Sequence, residues 1–306
     1  MSKVTRKKKL LWILGGFLIL LFSGIGYLLM MYMNLTDTVD MMHEPIEREL
    51  SDMREKPVVF KEYDPFSVLL LGVDERDNDG GRSDTIIILA VNPVLKSTKM
   101  VSIPRDTLTE IEGKGVRDKI NHAYAFGGIE MAMKSVEYLL DIPIDYVVQV
   151  NMESFKEIVD AIGGITVNNM LDFKVGEESF PKGQLSMTGE EALTFVRMRY
   201  EDPRGDFGRQ DRQKLVIQAV LKQGASVNSL LNYKGIFSAI GNNVRTNMTF
   251  DEMVDVQANY RDSVNSVDQI YINEGHGKMM NDIWYYIMNE DELVRTQNEL
   301  KTHLEL

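Results

Sequence analysis

Leu10 to Met33 is a run of 24 residues without a charged side chain, and it constrains the rest of the chain more than any other feature. At about 1.5 Å per residue, a helix of that length crosses a hydrocarbon core of roughly 30 Å. Lys3, Arg6, Lys7, Lys8 and Lys9 precede it, and such a basic cluster stays on the cytoplasmic side. A cleaved signal peptide would have a shorter apolar core ending in a small-residue site, which "YLLMMYMNL" does not offer. The sequence therefore predicts a cytoplasmic tail over 1–9 and a signal-anchor helix over 10–33, with all later residues outside. The protein is expected in the cell membrane as a single-pass type II protein.

The exterior portion carries 29 Lys and Arg against 46 Asp and Glu, a net charge of −17. Nucleic acid is an unsuitable partner for so acidic a surface. The chain has no cysteine, which excludes disulfides, thiolate nucleophiles and zinc–thiolate sites. Residues 34–61 are charged, with scattered apolar positions, and read as an extracellular, partly helical stalk. Residues 62–306 read as one domain, because composition does not shift after Pro65.

That domain opens with continuous apolar runs. Val68 to Val73, "TIIILAVN" and "TKMVSIP" suit strands buried on both faces. "DYVVQVN" and "GITVN" follow helical stretches at Ile129 to Leu140 and Met152 to Ile162, and "VDQIYIN" near 270 reads as a further strand. Strands separated by such helices indicate an α/β fold, an α/β/α sandwich with a mixed central sheet. Thr188 with Glu191 and Thr249 with Glu252 have capping-box spacing at two helix starts.

Five of the fifteen arginines, Arg197, Arg199, Arg204, Arg209 and Arg212, fall within sixteen residues. On a helix from about Gly208, Arg209, Arg212 and Gln213 share the apolar side with Val216, Ala219 and Val220, while Asp211, Lys214, Gln218 and Lys222 form the polar side. A buried guanidinium needs a partner. Asp206, Asp211 and Glu201 can serve some of these arginines structurally; a bound anion, phosphate above all, accounts for the rest. Neither a P-loop nor a dinucleotide-binding glycine motif is present.

A second constellation is "LGVDERDNDGGRSDT". Asp74 ends one strand, and Arg82 and Asp84 lie just before the next, near the connection between two neighbouring strands where α/β folds bind ligands. Two carboxylates there could hold Mg²⁺, or Mn²⁺ in its place, with water and phosphate oxygens completing the shell. Asp77 and Asp79 read as loop residues, and the stretch fails as an EF-hand because Glu75 and Ile86 occupy ligand positions. Arg105 and Asp106 follow the third strand, and Lys119, Asn121 and His122 lie beyond it. His122 could serve as a base or as an ordinary hydrogen-bonded histidine. Ser83 and Ser102 lack a nucleophile motif.

"VLLLGVDERDNDGGRSDTIIILAVN", "MVSIPRDT", "DKINHAYAFGG", "VNMESFKEIVDAIGGITVN" and "TGEEALTFVRMRYEDPRGDFGRQDRQ", in that order behind one anchor, resemble the LytR-CpsA-Psr family. Within it, the chain is similar to the members that attach teichoic acid to peptidoglycan in Gram-positive bacteria. The resemblance implies a twisted mixed sheet, an apolar pocket for a prenyl tail, and transfer of a phosphate-linked anionic glycopolymer. The donor would be an undecaprenyl-pyrophosphate carrier and the acceptor a peptidoglycan hydroxyl, which makes the protein a transferase of phosphorus-containing groups. It further implies Asp74 and Asp84 as Mg²⁺-linked carboxylates. Arg82, Arg105, Lys119, Arg197, Arg199, Arg209 and Gln213 become pyrophosphate contacts and Asp206 orients arginines, while Arg204 and Arg212 lie in the same motif with a less specific role. Asp84 or Asp74 is the expected base, with Arg105 beside them in catalysis. The same clamp would also suit a polyprenyl-pyrophosphate hydrolase or a non-catalytic, membrane-anchored regulator that binds the lipid carrier.

Overall fold

Val68 to Val73 has no polar alternation, so it is stable only where both faces are covered. In the computed structural model it forms the heart of β1 (Phe66–Asp74), followed by β2 (Arg82–Asn92) and β3 (Ser97–Ser102). The structure describes residues 26–27, 29–46, 48, 50–74, 81–151, 154–224, 239–241 and 244–306. Most of the expected membrane span, 10–25 and Leu28, lies outside them, as do Asp77 and Asp79. Among the described residues no helix is long and apolar enough to cross a membrane.

The chain enters through a helix over 29–42, α1. After β3 come the short pair β4 (Leu108–Ile111) and β5 (Val116–Lys119), α2 (His122–Leu140), β6 (Tyr146–Asn151) and α3 (Ser154–Ala161). β7 (Ile165–Asn169), β8 (Phe173–Val175), β9 (Glu178–Phe180) and β10 (Gly183–Met187) precede α4 (Gly189–Arg197) and α5 (Asp206–Gly224). Last are β11 (Val244–Thr246), α6 (Phe250–Asn259), β12 (Val267–Ile270), the hairpin β13 (His276–Met280) and β14 (Ile283–Ile287), and α7 (Glu290–Leu304). Thr188 and Thr249 form complete capping boxes at α4 and α6.

The central sheet has the order β11-β6-β1-β2-β3-β12. It is mixed: β1 runs parallel to β6 and β12 parallel to β3, while the β1–β2, β2–β3 and β11–β6 pairs are antiparallel. Leu69, Leu71, Val73, Ile86, Ile88 and Val101 face a core closed by Met133 and Leu140 of α2 and Leu300 and Leu304 of α7. Phe66, Val68 and Tyr146 face the other way, against Phe60 and against Tyr260 at the end of α6. The fold is thus mixed α/β around a mixed central sheet, with α2 and α7 on one face and the Phe60–Tyr260 cluster on the other.

"GITVN" is a strand, β7, but it pairs with β10 outside the central sheet. Its alternation explains this: Ile165 and Val167 are buried while Thr166 and Asn168 are exposed, the pattern of a half-buried strand. A second core gathers here around Phe173, Phe180, Phe195 and Val216, joining α3, α4 and α5 to the β7–β10 ribbons.

Residues 34–61, expected as a stalk, dock onto the domain. Val39 and Met42 are buried. Arg48 bonds Glu137 of α2 at 2.5 Å, and Arg54 bonds Asp145 at 2.7 Å.

Candidate functional site

β1 and β3 both run antiparallel to β2, so they end at the edge where β2 begins. This brings Asp74, Arg82, Asp84 and Arg105 to one place. Asp74 is paired across the ladder with Arg82, and the register slips between Gly72 and Val73, a bulge beside Asp84. Bulges re-aim side chains, which suits an edge of this kind. Arg82 is exposed and Asp84 half-buried.

Arg105 reaches across the edge: its Nη1 lies 2.9 Å from Asp84 Oδ2, and its Nε is 3.7 Å from Asp106 Oδ2. Lys119 donates from Nζ to Asp106 Oδ1 at 2.7 Å. Two cations and two carboxylates thus alternate from β2 to the end of β5. Lys119 Nζ also lies 5.8 Å from the ring centre of Tyr285.

His122 begins α2 with its Nδ1 2.8 Å from Asp118 Oδ2. The other Asp118 oxygen accepts from Tyr285 Oη at 3.1 Å and from the Lys119 N–H at 2.8 Å. Burial pushes the Asp118 carboxyl up, but these donors, His122 foremost, overcome it and hold it below the usual carboxylate value. His122 is thus hydrogen-bonded to an acid of β5.

The arginine-rich segment forms a corner between α4 and α5. Arg197 closes α4 and is exposed; Arg199 is half-buried in the turn; Asp206 is the first residue of α5 and Arg209 sits half-buried in its first turn. Gln213, one turn further, is buried and donates from Nε2 to Thr85 Oγ1 at 3.0 Å. Thr85 adjoins Asp84, so this bond fastens α5 to the sheet edge. The buried side of α5 carries Arg212, Gln213, Val216 and Ala219, and Gln218 and Lys222 are exposed, as the helical phasing expects, whereas Arg209 and Val220 are half-buried to the same degree as Asp211 and Lys214.

Arg212 turns inward. Its Nη1 bonds Asp202 Oδ2 at 2.5 Å, its Nη2 the Met198 carbonyl at 2.5 Å and its Nε the Phe195 carbonyl at 3.1 Å. The guanidinium lies 5.5 Å from the Phe173 ring centre. Burial, the largest cause, pulls the Arg212 pKa down, and Asp202 works against it. For Asp202, burial raises the carboxyl, while the Arg204 N–H and the Arg212 guanidinium bring it below its ordinary value. Arg204 also lies apart from the edge cluster, its Nη1 2.6 Å from Asp211 Oδ2, and Tyr271 donates to the other Asp211 oxygen at 2.6 Å.

Asp202 was not among the residues that sequence reasoning singled out. A signal existed: Gly208 stands in the first turn of α5, and an isolated glycine within a helical pattern usually has a packing reason. A Cβ at Gly208 would overlap the Asp202 carboxylate, so glycine there marks the close approach of a buried acid.

The LytR_cpsA_psr family model matches residues 29–302. The polyisoprenyl-teichoic acid–peptidoglycan teichoic acid transferase TagU of Bacillus cereus is 49% identical over 302 residues, which are 98% of this chain and 99% of the relative. The crystal structure of TagU from Bacillus subtilis is 48% identical with a TM-score of 0.65, covering 79% of this chain and 98% of that one. A structure of TagT bound to LIIa-WTA is 31% identical with a TM-score of 0.73, covering 86% of this chain and all of the other. The chain belongs to the LytR-CpsA-Psr family.

Proposed function

We propose that this protein is a teichoic acid transferase that moves a phosphate-linked glycopolymer from an undecaprenyl-pyrophosphate carrier to a peptidoglycan hydroxyl, at the extracellular face of a membrane to which the 10–33 helix anchors it. The observation that carries this reading is the Gln213–Thr85 bond, which joins groups 128 positions apart in sequence. It sets the α5 arginine segment against the strand that holds Asp84 and its Arg105 partner. The similarity to a named teichoic acid transferase, and to a TagT structure with LIIa-WTA bound, supports the same substrate class.

In the proposed reaction the acceptor hydroxyl attacks the phosphorus nearest the glycopolymer. A new P–O bond forms, the bond to prenyl phosphate breaks, and negative charge gathers on the leaving and equatorial oxygens. Arg82, Arg105, Lys119, Arg197, Arg199 and Arg209 are the cations assigned to those oxygens, with Gln213 positioned among them and Arg212 left to brace the corner. Asp84 or Asp74 takes the hydroxyl proton. Preorganised donors of this kind are the main stabilisers such a step needs.

The donor set suits a hard divalent cation. Asp84 is partly exposed with one oxygen directed to Arg105, and Asp74 lies nearby on the adjacent strand. Among the described residues no group of three or more His, Asp or Glu gathers as a metal cage. Mg²⁺ is commonly held by one or two carboxylates, with water and phosphate oxygens completing its shell. Bound there, it would neutralise charge on the transferring phosphate.

The test is reconstitution of the full chain in lipid nanodiscs with polyprenyl-pyrophosphate-linked glycopolymer, Mg²⁺ and nascent peptidoglycan. Joined product that requires both substrates is expected. Release of prenyl phosphate at the same rate without acceptor, with no joined product, would make the protein a hydrolase; binding without turnover would make it a lipid-carrier-binding regulator. Unchanged transfer in the Asp74→Asn, Asp84→Asn double variant would remove both as the base.

A further inference from the structure

The β13–β14 hairpin carries an exposed apolar face that the proposed reaction does not yet use. Met279 and Trp284 are directly opposed across the ladder, as are Gly277 and Tyr286, so the four share one face, buried at its Tyr286 end and exposed towards the turn. Met279 is 59% exposed and Trp284 40%. A Cβ at Gly277 would lie 2.6 Å from Trp284 Nε1 and 2.9 Å from two carbons of the indole. The indole therefore rests against the glycine backbone, where any larger residue would push it away. Asn281 and Asp282 close the hairpin with φ of 50° and 63°, the two-residue turn that matches strand twist and makes such a ribbon stiff.

We propose that this face is a platform for a hexosamine ring of the acceptor glycan strand, an inference that rests on the transfer reading above. Three observations support it. The hairpin is continuous with the site: the Tyr286 N–H donates to the Asp106 carbonyl at 2.9 Å, and Tyr285 Oη donates to Asp118. Trp284 is two residues from that backbone bond, about 7 Å at the rise of a strand, so a sugar on the indole is within a ring or two of Arg105 and Asp84. The second is shape, since an indole laid along the ribbon presents a flat apolar surface of the kind the C–H face of a pyranose covers.

The third is charge, which separates the acceptor from the donor. Asp282 stands at the tip and Glu274, Glu290 and Asp291 are exposed at the base, against Lys278 and Arg295. Arg295 is paired with Glu274. A polymer with a phosphate in every repeat is disfavoured beside this surface, whereas a β-linked hexosamine backbone is not.

The chain has two tryptophans, Trp12 and Trp284, so Trp12→Phe leaves Trp284 as the sole indole. The experiment titrates that full-length variant in nanodiscs with a short β-linked N-acetylglucosamine oligomer and follows indole emission. A saturable blue shift is expected, with affinity reduced about ten-fold when Gly277→Ala displaces the ring. In transfer assays Trp284→Ala should raise KM for peptidoglycan by a similar factor and leave KM for the lipid-linked donor unchanged. A response to a sugar-free polyol phosphate equal to that with the oligomer would assign the face to the donor and overturn the proposal. Quenching by brominated nanodisc lipid without a response to the oligomer would make it a membrane contact, and silence towards all three probes would also overturn it. Oligomer binding needs neither pyrophosphate nor turnover, so the two failures are distinguishable: binding without joined product would remove the acceptor role and the transfer reading with it, whereas joined product without binding would overturn the platform alone.

Discussion

Arg48, Arg54 and Arg212 live in one kind of environment, and the arginines of the sheet edge in another. The first three have side chains only 13%, 11% and 4% exposed, and each meets a carboxylate at least as buried as itself: Glu137, Asp145 and Asp202. Their remaining donors find backbone carbonyls, Ile144 and Pro65 for the first two and Phe195 and Met198 for Arg212. At the edge, Arg82 and Arg197 are exposed, Arg199 and Arg209 half-buried, and Arg105 is one of two cations that share Asp106. A charge withdrawn from water has to be matched inside the protein, whereas one left at the surface can stay hydrated until a polyanion replaces the water. Burial against an acid and a backbone carbonyl therefore marks frame, and shared pairing at a sheet edge is the environment the proposed ligand site calls for.

The largest effect should come from breaking a frame pair. Asp202→Ala leaves the Arg212 guanidinium buried without its carboxylate, and loss of about 3–5 kcal/mol of stability is expected, read as a lower urea midpoint. Glu137→Ala should act in the same direction, since it strands Arg48, the Ser51 hydroxyl and the Ile144 N–H together. If Asp202→Ala instead kept its midpoint and lost transfer, Arg212 would have to move from frame to site.

Arg105→Ala should show the opposite signature. Its ion pairs are one-third exposed and worth about 1 kcal/mol or less to stability. Transfer, however, should fall at least ~100-fold, the usual cost of removing one preorganised donor from developing charge. Assayed side by side, the two variants turn the contrast into a crossed pair of measurements: midpoint against rate.

This division also explains what could be seen in the sequence. The sheet was legible because apolar runs such as Val68 to Val73 and Ile86 to Val91 have no stable home except a covered strand. The edge cluster was legible because strands that end together place Asp74, Arg82, Asp84 and Arg105 together, whatever the loops do. The phasing of α5 separated Arg209, Arg212 and Gln213 from the polar face, but phasing cannot tell a guanidinium that faces a ligand from one that faces Asp202. That distinction depends on how the α4–α5 corner closes, a tertiary fact whose trace in the sequence is Gly208. The docking of residues 34–61 was hidden for a related reason: Arg48 and Arg54 meet acids 89 and 91 positions away, and scattered charge reads as a solvated stalk until those acids are located. The Trp284 platform likewise depends on Gly277, whose role appears only in the paired register of the hairpin.

Acid offers a smaller and more graded test of the frame. The Asp202 carboxyl is held below its ordinary value in the folded chain, chiefly by the Arg204 N–H and Arg212 against the opposing effect of burial. A lowered folded pKa contributes stability that is complete above the unfolded value, about 4, and is lost as pH falls through the folded one. The wild type should thus lose urea resistance below about pH 4, and Asp202→Asn should show a shallower acid slope. Equal slopes would mean that the Asp202–Arg212 pair is not what the folded state protects.

Arg204 is the hard case for the comparison, since its side chain is 54% exposed yet paired with Asp211 at 2.6 Å. Tyr271 holds the other Asp211 oxygen, and burial, then the bond to Asp211, pushes its phenol up to about 12. A raised folded pKa means that the Tyr271 contribution is complete below the ordinary tyrosine value near 10 and fades as pH rises towards the folded one. Tyr271→Phe should therefore be slightly less stable than the wild type at about pH 9, with the gap closing by about pH 12. Tyr146 and Tyr260, whose phenols are also raised by burial, are present in both proteins and cancel in the difference. If pairing rather than exposure decides what is frame, Tyr271→Phe and Arg204→Ala should both leave transfer at neutral pH within about two-fold, because neither touches the edge cluster. A drop in transfer with Arg204→Ala as deep as that of Arg105→Ala would show that exposure is the better guide, and Arg204 would join the arginines proposed to hold the ligand.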